Sequence, residues 1–191
     1  MKKILFGIVA ALLLCVSIVF TACGRTDYDD LEVVKIETIS RDFMSAYGEK
    51  FVREFDFEAG EVIDTTKVKA DAFQWEIDYY KEYPEHLPEQ YNSVEEFENA
   101  LNERYNNPKV KAEFTEEQGE QLIKNIKKLG FYKWKDRYET KDMVDDGGDL
   151  TVNVYFADGT IKSTYFFLSG PKNFDKIKEE FVNIIGVSLY R

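Results

Sequence analysis

Thiols and imidazoles are scarce in this chain. Its 191 residues include two cysteines, Cys15 and Cys23, and one histidine, His86. A zinc site draws three or four nitrogen, sulfur or carboxylate ligands, mostly His and Cys, so zinc is disfavoured. A Ser-His-Asp arrangement would have to use His86, which lies between Pro84 and Pro88, and no G-x-S-x-G elbow supplies the serine. His86 therefore reads as a solvated loop residue. A phosphate-cradling glycine loop is missing too, because Gly147-Gly148 is followed by Asp149 and Leu150 instead of Lys and Ser or Thr. Positive charge is in deficit: 25 Lys and Arg stand against 36 Asp and Glu, a net charge of −11. That balance argues against nucleic acid as the main partner, since phosphate binding needs a basic face. It also disfavours electrostatic adhesion to an anionic membrane surface. No cofactor is expected.

Apolar and aromatic residues are plentiful. A 44% hydrophobic and 15% aromatic composition supplies a packed core and excludes a disordered chain. The one long apolar run, Ile4 to Phe20, follows Lys2 and Lys3 and ends in Thr21-Ala22-Cys23-Gly24. A basic start, an apolar middle and small residues at the end read as a secretory signal. Phe20-Thr21-Ala22-Cys23 resembles the lipobox of bacterial lipoproteins, with Phe20 where Leu is usual. The resemblance implies a signal peptide at residues 1–22 and a diacylglycerol-bearing Cys23 that anchors the protein in the cell membrane, on its extracytoplasmic face. An uncleaved membrane-spanning helix is the alternative, since ~20 apolar residues suffice to cross a bilayer. Both arrangements leave the rest of the chain outside. Cleavage would remove Cys15 and commit Cys23 to lipid, leaving no thiol for a disulfide, a metal or a nucleophile.

Residues 23–31 hold the cysteine and a short polar, acidic linker, and residues 32–191 read as a single domain. Val34 and Ile36 alternate with Val33, Lys35 and Glu37, which suits a half-buried strand. Phe51, Phe55 and Phe57 share one face of a second strand, interrupted by Arg53, and Val62 to Val68 returns as a third. Residues 70–113 read as a helical insertion. Phe73, Ile77 and Tyr80 fall at helical spacing, as do Trp75, Tyr79 and Tyr83. Ser93 with Glu96, and Thr115 with Gln118, are capping-box patterns opening two helices. The second of these carries Leu122, Ile123, Ile126 and Leu129 and ends at Gly130, with Lys124, Lys127 and Lys128 near its carboxyl end.

In the last third, Phe131 to Tyr138 reads as a strand. Leu150, Val152, Val154 and Phe156 alternate in another, Asp158-Gly159 makes a two-residue hairpin turn, and Ile161 to Leu168 pairs back. Pro171 opens a final helix with Phe174, Ile177, Phe181 and Ile184 on one stripe, closed by Gly186. Trp134, Tyr138, Asp146-Gly147-Gly148-Asp149-Leu150, Asp158-Gly159 and Gly170-Pro171-Lys172-Asn173-Phe174 together resemble a module of uncharacterised bacterial lipoproteins. In that family a helix leads to a Trp-containing strand, a hairpin and a last helix. Here Leu150 replaces a second Trp and the loop into the last helix is shortened. The resemblance implies fold and location, and no activity.

The expected fold is α+β: an antiparallel sheet with helices packed on one face and a helical insertion. Two candidate sites stand out. Asp142, Asp145, Asp146 and Asp149 cluster around Gly147-Gly148, and carboxylates on a tight loop suit calcium. The spacing does not match an EF-hand, and a solvated acidic turn explains the same residues. Trp75, Tyr79 and Tyr83, with Tyr91 nearby, form an aromatic stripe that suits a protein, peptide or glycan ligand. The competing reading packs this stripe onto the sheet. The expected function is a non-enzymatic binding domain; the alternative is an envelope hydrolase of glycosidase type using paired carboxylates, which leave no sequence signature. Mass spectrometry of the membrane-extracted protein is expected to find a chain that begins at an acylated Cys23. A native chain still beginning at Met1, or one free in the medium, would refute lipid attachment.

Overall fold

Alternation along each strand decides which side of the sheet is covered. The structure, a computed structural model, describes residues 28–42, 47–69, 71–140 and 148–190; Cys23, Asp142, Asp145 and Asp146 lie outside these residues. The strands are β1 (Val33–Asp42), β2 (Lys50–Asp56), β3 (Glu61–Lys67), β4 (Lys109–Glu113), β5 (Arg137–Glu139), β6 (Gly148–Phe156) and β7 (Ile161–Phe167). The helices are α1 (Gln74–Glu82), α2 (Val94–Arg104), α3 (Glu116–Lys128) and α4 (Phe174–Ile185). Residues Leu31–Arg191 form one compact unit, and Tyr28–Asp30 before it is a single 3-10 turn. The fold is α+β. Seven strands pair in the order β4-β3-β2-β1-β6-β7-β5, all antiparallel except β5, which runs parallel to β7 at the edge.

Cross-strand partners share a face, so the register defines the inward side. Ile36 pairs with Phe55 and Val154, and Thr38 pairs with Arg53 and Val152; all are buried. Arg53 therefore does not interrupt the apolar row of β2. It belongs to that row and points inward with Phe51 and Phe55. In β1 a register shift between Val33 and Lys35 turns Val33 inward, where simple alternation would place Val34.

α3 and α4 cover this inward side. Phe181 of α4 meets Phe55 edge to face at 4.7 Å, and Phe174 lies 5.1 Å from Phe166. The stripe of α4 is Ile177, Phe181 and Ile185; Ile184, one position earlier, is only half-buried. α3 presents Gly119, Leu122 and Ile126. Gly119 is small for a reason: a Cβ there would stand 3.2 Å from the rings of both Phe57 and Phe114. The reciprocal capping box of Thr115 and Gln118 opens α3. At α2 only half of that pattern forms. Ser93 accepts from the Glu96 amide, while the Glu96 carboxylate accepts from Asn92.

Three further segments differ from the sequence reading. Phe131–Lys133 is a 3-10 turn, and only Arg137–Glu139 is a strand. Phe131, Tyr132 and Trp134 are all buried, and the turn at Phe131–Lys133 brings their three rings together, with Phe131 5.7 Å from Tyr132 and 4.6 Å from Trp134. The hairpin between β6 and β7 closes through a three-residue loop, with Phe156 donating to Thr160 O and Gly159 in the left-handed region at φ 84°. The helical insertion ends at Arg104, and Lys109–Glu113 joins the sheet as edge strand β4. Both sheet edges are charged or short: Lys109 and Lys111 lie on β4, and β5 has three residues.

The buried Arg53 guanidinium gives two hydrogen bonds to Asp64, at 2.6 and 2.7 Å, and one to Ser188 O at 2.7 Å. Replacing it strands a carboxylate and a carbonyl. Removing one partner of a buried pair costs ~3–5 kcal/mol, and the lower end applies because Asp64 is a quarter exposed. Arg53→Met is expected to lower urea-unfolding stability by ~3 kcal/mol, well beyond the effect of a surface substitution. An unchanged midpoint would show that the cluster adds nothing.

Candidate functional site

The insertion builds its own small core. Phe73, Ile77, Phe97 and Tyr105 are buried together, with Tyr47, Val68, Tyr80 and Tyr91 packed against them. One aromatic face of α1 is therefore satisfied within the insertion: Phe73 meets Tyr105 at 4.9 Å and Tyr80 meets Phe97 at 5.2 Å. The other face is left outside. Trp75 is 64% exposed, Tyr79 39% and Tyr83 40%. Tyr91 does not join them; it is half-buried and its ring packs edge to face on Phe97. The stripe is thus a three-ring surface, and the reading that packs it onto the sheet does not describe these rings.

His86 sits at the end of this stripe, in the 3-10 turn Pro84–His86. Its Nδ1 is hydrogen-bonded to the Tyr79 hydroxyl, and its ring stacks on Tyr83. Tyr79 and Tyr83 lie 5.2 Å apart. These contacts hold the tyrosines in place, so the surface is partly ordered before any ligand arrives. Acidic side chains lie between the rings. Asp78 and Glu82 share the helical face of Trp75, Tyr79 and Tyr83, and Glu85 approaches His86 at 4.0 Å.

Asp149 is the one residue of the acidic loop within the described residues. It is buried in β6, not solvated, facing Arg41 at 3.7 Å and the Tyr165 hydroxyl at 3.5 Å. Among the described residues no group of three His, Cys, Asp or Glu comes together to hold a metal. Nor, among them, is any helix long and apolar enough to cross a membrane.

The sheet face away from α3 and α4 carries a polar network that the sequence reading missed. Glu37 and Glu54 are direct cross-strand partners, an arrangement that costs energy unless compensated. Compensation is present. Glu37 accepts from Asn153 Nδ2 at 2.9 Å and the Tyr155 hydroxyl at 3.0 Å. Lys35 bonds Glu54 at 3.3 Å and lies 4.4 Å over the Tyr155 ring. Neither carboxylate borders either of two cavities that lie on the inward side among the described residues. One of those, about 640 Å³, has Asp149 as its carboxylate; the other, about 570 Å³, has Glu49 and the Arg53-bound Asp64. Strand alternation marks Lys35, Glu37 and Glu54 as outward, but the two donors to Glu37 stand 116 and 118 residues further along the chain, on β6.

Comparison with protein-family models, with curated proteins and with solved structures gives no match.

Two phenols are held protonated by these surroundings. Burial first, then the Glu37 charge, push Tyr155 up to about 12; burial and a hydrogen bond to Glu49 push Tyr105 to about 12. The ordinary value is 10.0, so between the two values the folded chain keeps protons that the unfolded chain releases. The stabilisation is complete below pH 10 and is lost as pH rises towards about 12. A tyrosinate absorbance titration is expected to reveal this late-ionising pair. Tyr155→Phe should remove one member; if the late step keeps its full amplitude, that assignment fails.

Proposed function

We propose that the protein is a lipid-anchored extracytoplasmic binding domain that recognises a basic protein or peptide segment through the exposed stripe of α1. The anchor rests on the lipobox-like Phe20-Thr21-Ala22-Cys23 and the signal that precedes it. The binding surface rests on one observation above all: Trp75, Tyr79 and Tyr83 are exposed while the opposite rings of the same helix fill the insertion core. Three aromatic rings on a scaffold secured by its own packing offer large contact area at low entropic cost.

The acids between the rings select the partner. Arginine and lysine are attracted to aromatic faces, and the attraction grows when a carboxylate stands beside the ring. Asp78 and Glu82 lie on the same face, and Glu85 follows at its end. The overall charge of −11 adds long-range attraction for a basic partner.

A short oligoarginine peptide is the probe. It is expected to bind the membrane-extracted full chain saturably and to weaken with salt. Changing Trp75 and Tyr83 together to Ala should cost ~2 kcal/mol or more of binding, while stability stays within ~0.5 kcal/mol because both rings are at the surface. Binding that survives the double change would move recognition elsewhere. A neutral oligosaccharide that binds the stripe in preference to oligoarginine would replace the peptide with a glycan.

A further inference from the structure

The inward face of the sheet does not end where its covering ends. At the close of β1, the start of β2 and β6, and the end of β7, a cavity of about 640 Å³ opens against α4 and Tyr190. Its volume is that of sites that take small organic ligands. Phe51, Leu150, Phe166, Leu168, Phe174 and Tyr190 form its apolar walls. None of these belongs to the α1 stripe, so the cavity is independent of the surface proposed above.

Flat rings dominate the lining, and they are layered. Tyr138 stacks on Phe166 with planes 5° apart; Phe166 meets Phe174 at 5.1 Å; Phe174 stacks on Tyr190 at 6.0 Å and 15°. The last three face the cavity. A planar ring entering it continues an existing stack, an arrangement that aromatic groups favour beyond simple burial of area. A flexible chain gains less from such walls.

Two cations border the cavity, in different states. Arg41, with 46% of its side chain exposed, faces the buried Asp149 at 3.7 Å, so the pair brings no net charge to the lining. Lys178 Nζ lies 5.3 Å from the Phe174 ring centre and 5.7 Å from that of Tyr190, at the edge of the stack. Its acidic partner is Asp175, at 2.8 Å, whose side chain is 83% exposed. An ion pair so open to water is weak and is readily shared with an incoming anion. The hydrogen bond to Asp175 also holds the lysine above its ordinary range, so the ammonium is charged at neutral pH. At the mouth, Leu168 adopts φ 52° and remains 46% exposed, an unfavourable backbone for a leucine that leaves an apolar side chain over the opening.

We infer that this cavity binds a small aromatic carboxylate, its ring layered against Phe174 and Tyr190 and its carboxylate on Lys178 Nζ. The ring supplies the burial and Lys178 selects the charge. A neutral ring of the same shape keeps only the first, and an aromatic amine meets repulsion.

The test uses the full chain in lipid nanodiscs, with empty nanodiscs as the blank. 2-Naphthoate is titrated by calorimetry at neutral pH, beside neutral 2-naphthol and cationic naphthylmethylamine. Saturable binding of naphthoate is expected, with naphthol about tenfold weaker and the amine weaker still. Lys178→Met should weaken naphthoate about tenfold and leave naphthol unchanged, whereas Lys178→Arg keeps the preference for the acid. Asp175→Asn, which removes the internal competitor, should tighten naphthoate. The Trp75 and Tyr83 double change should leave naphthoate binding intact, which separates this cavity from the α1 surface. Absence of saturable naphthoate binding would overturn the proposal. So would equal affinity for naphthol, or an equal loss of both ligands in Lys178→Met. The comparison of naphthoate with naphthol needs no variant, so a folding defect in Lys178→Met would not shield the idea.

Discussion

A single guanidinium joins two neighbouring strands to a segment 135 residues away. Arg53 stands in the inward row of β2, between Phe51 and Phe55, with only 7% of its side chain exposed. There it grips Asp64 on β3 with two parallel bonds and the Ser188 carbonyl from the far end of the chain with a third. Thr38 on β1 makes the matching contact to Leu189 O at 2.9 Å. Two side chains thereby fix the tail across the sheet, and with Val187 and Leu189 buried the tail serves as part of the core. A buried charge is tolerated only when its donors are met, and here the geometry leaves little freedom for the segment that meets them.

That constraint also explains what could be read in advance. α3 and α4 were legible because their apolar stripes and capping residues are local, and β6 with β7 because alternation and Asp158-Gly159 lie within one short stretch. Arg53 was not legible, since its partners stand 11 and 135 residues away and a charged residue in an apolar row reads as a break. The same holds for Asn173. The expected helix opening near Pro171-Lys172-Asn173 hides the fact that Asn173 bridges Trp134 Nε1 and the Leu129 carbonyl, clamping α3 to the turn that follows it. Trp134 and Asn173, 39 residues apart, thus meet in space in a structural role.

For the α1 stripe, periodicity found two aromatic rows on one helix but could not say which turned inward. The choice depends on Phe97 and Tyr105, which close the core of the insertion on the Phe73 and Ile77 side. The helix is consequently held from one side by its own neighbours and carries its remaining rings outward. The cavity beside α4 was invisible for a different reason: it is a property of where covering stops, and β1, β2, β6, β7, α4 and Tyr190 all contribute to its walls.

The ends of the sheet bear on life in a crowded plane. Copies anchored as proposed, by short linkers to one membrane, would drift and collide edge to edge, and open strand edges invite pairing between molecules. β4 carries Lys109 and Lys111 along such an edge, and β5 exposes three residues with Arg137 paired to Glu139. Exposed charged side chains along β4, and too short a ladder at β5, disfavour the zipping of neighbouring copies into a continuous sheet. Crowding on such a surface would then raise the number of collisions more than it raises pairing through these edges.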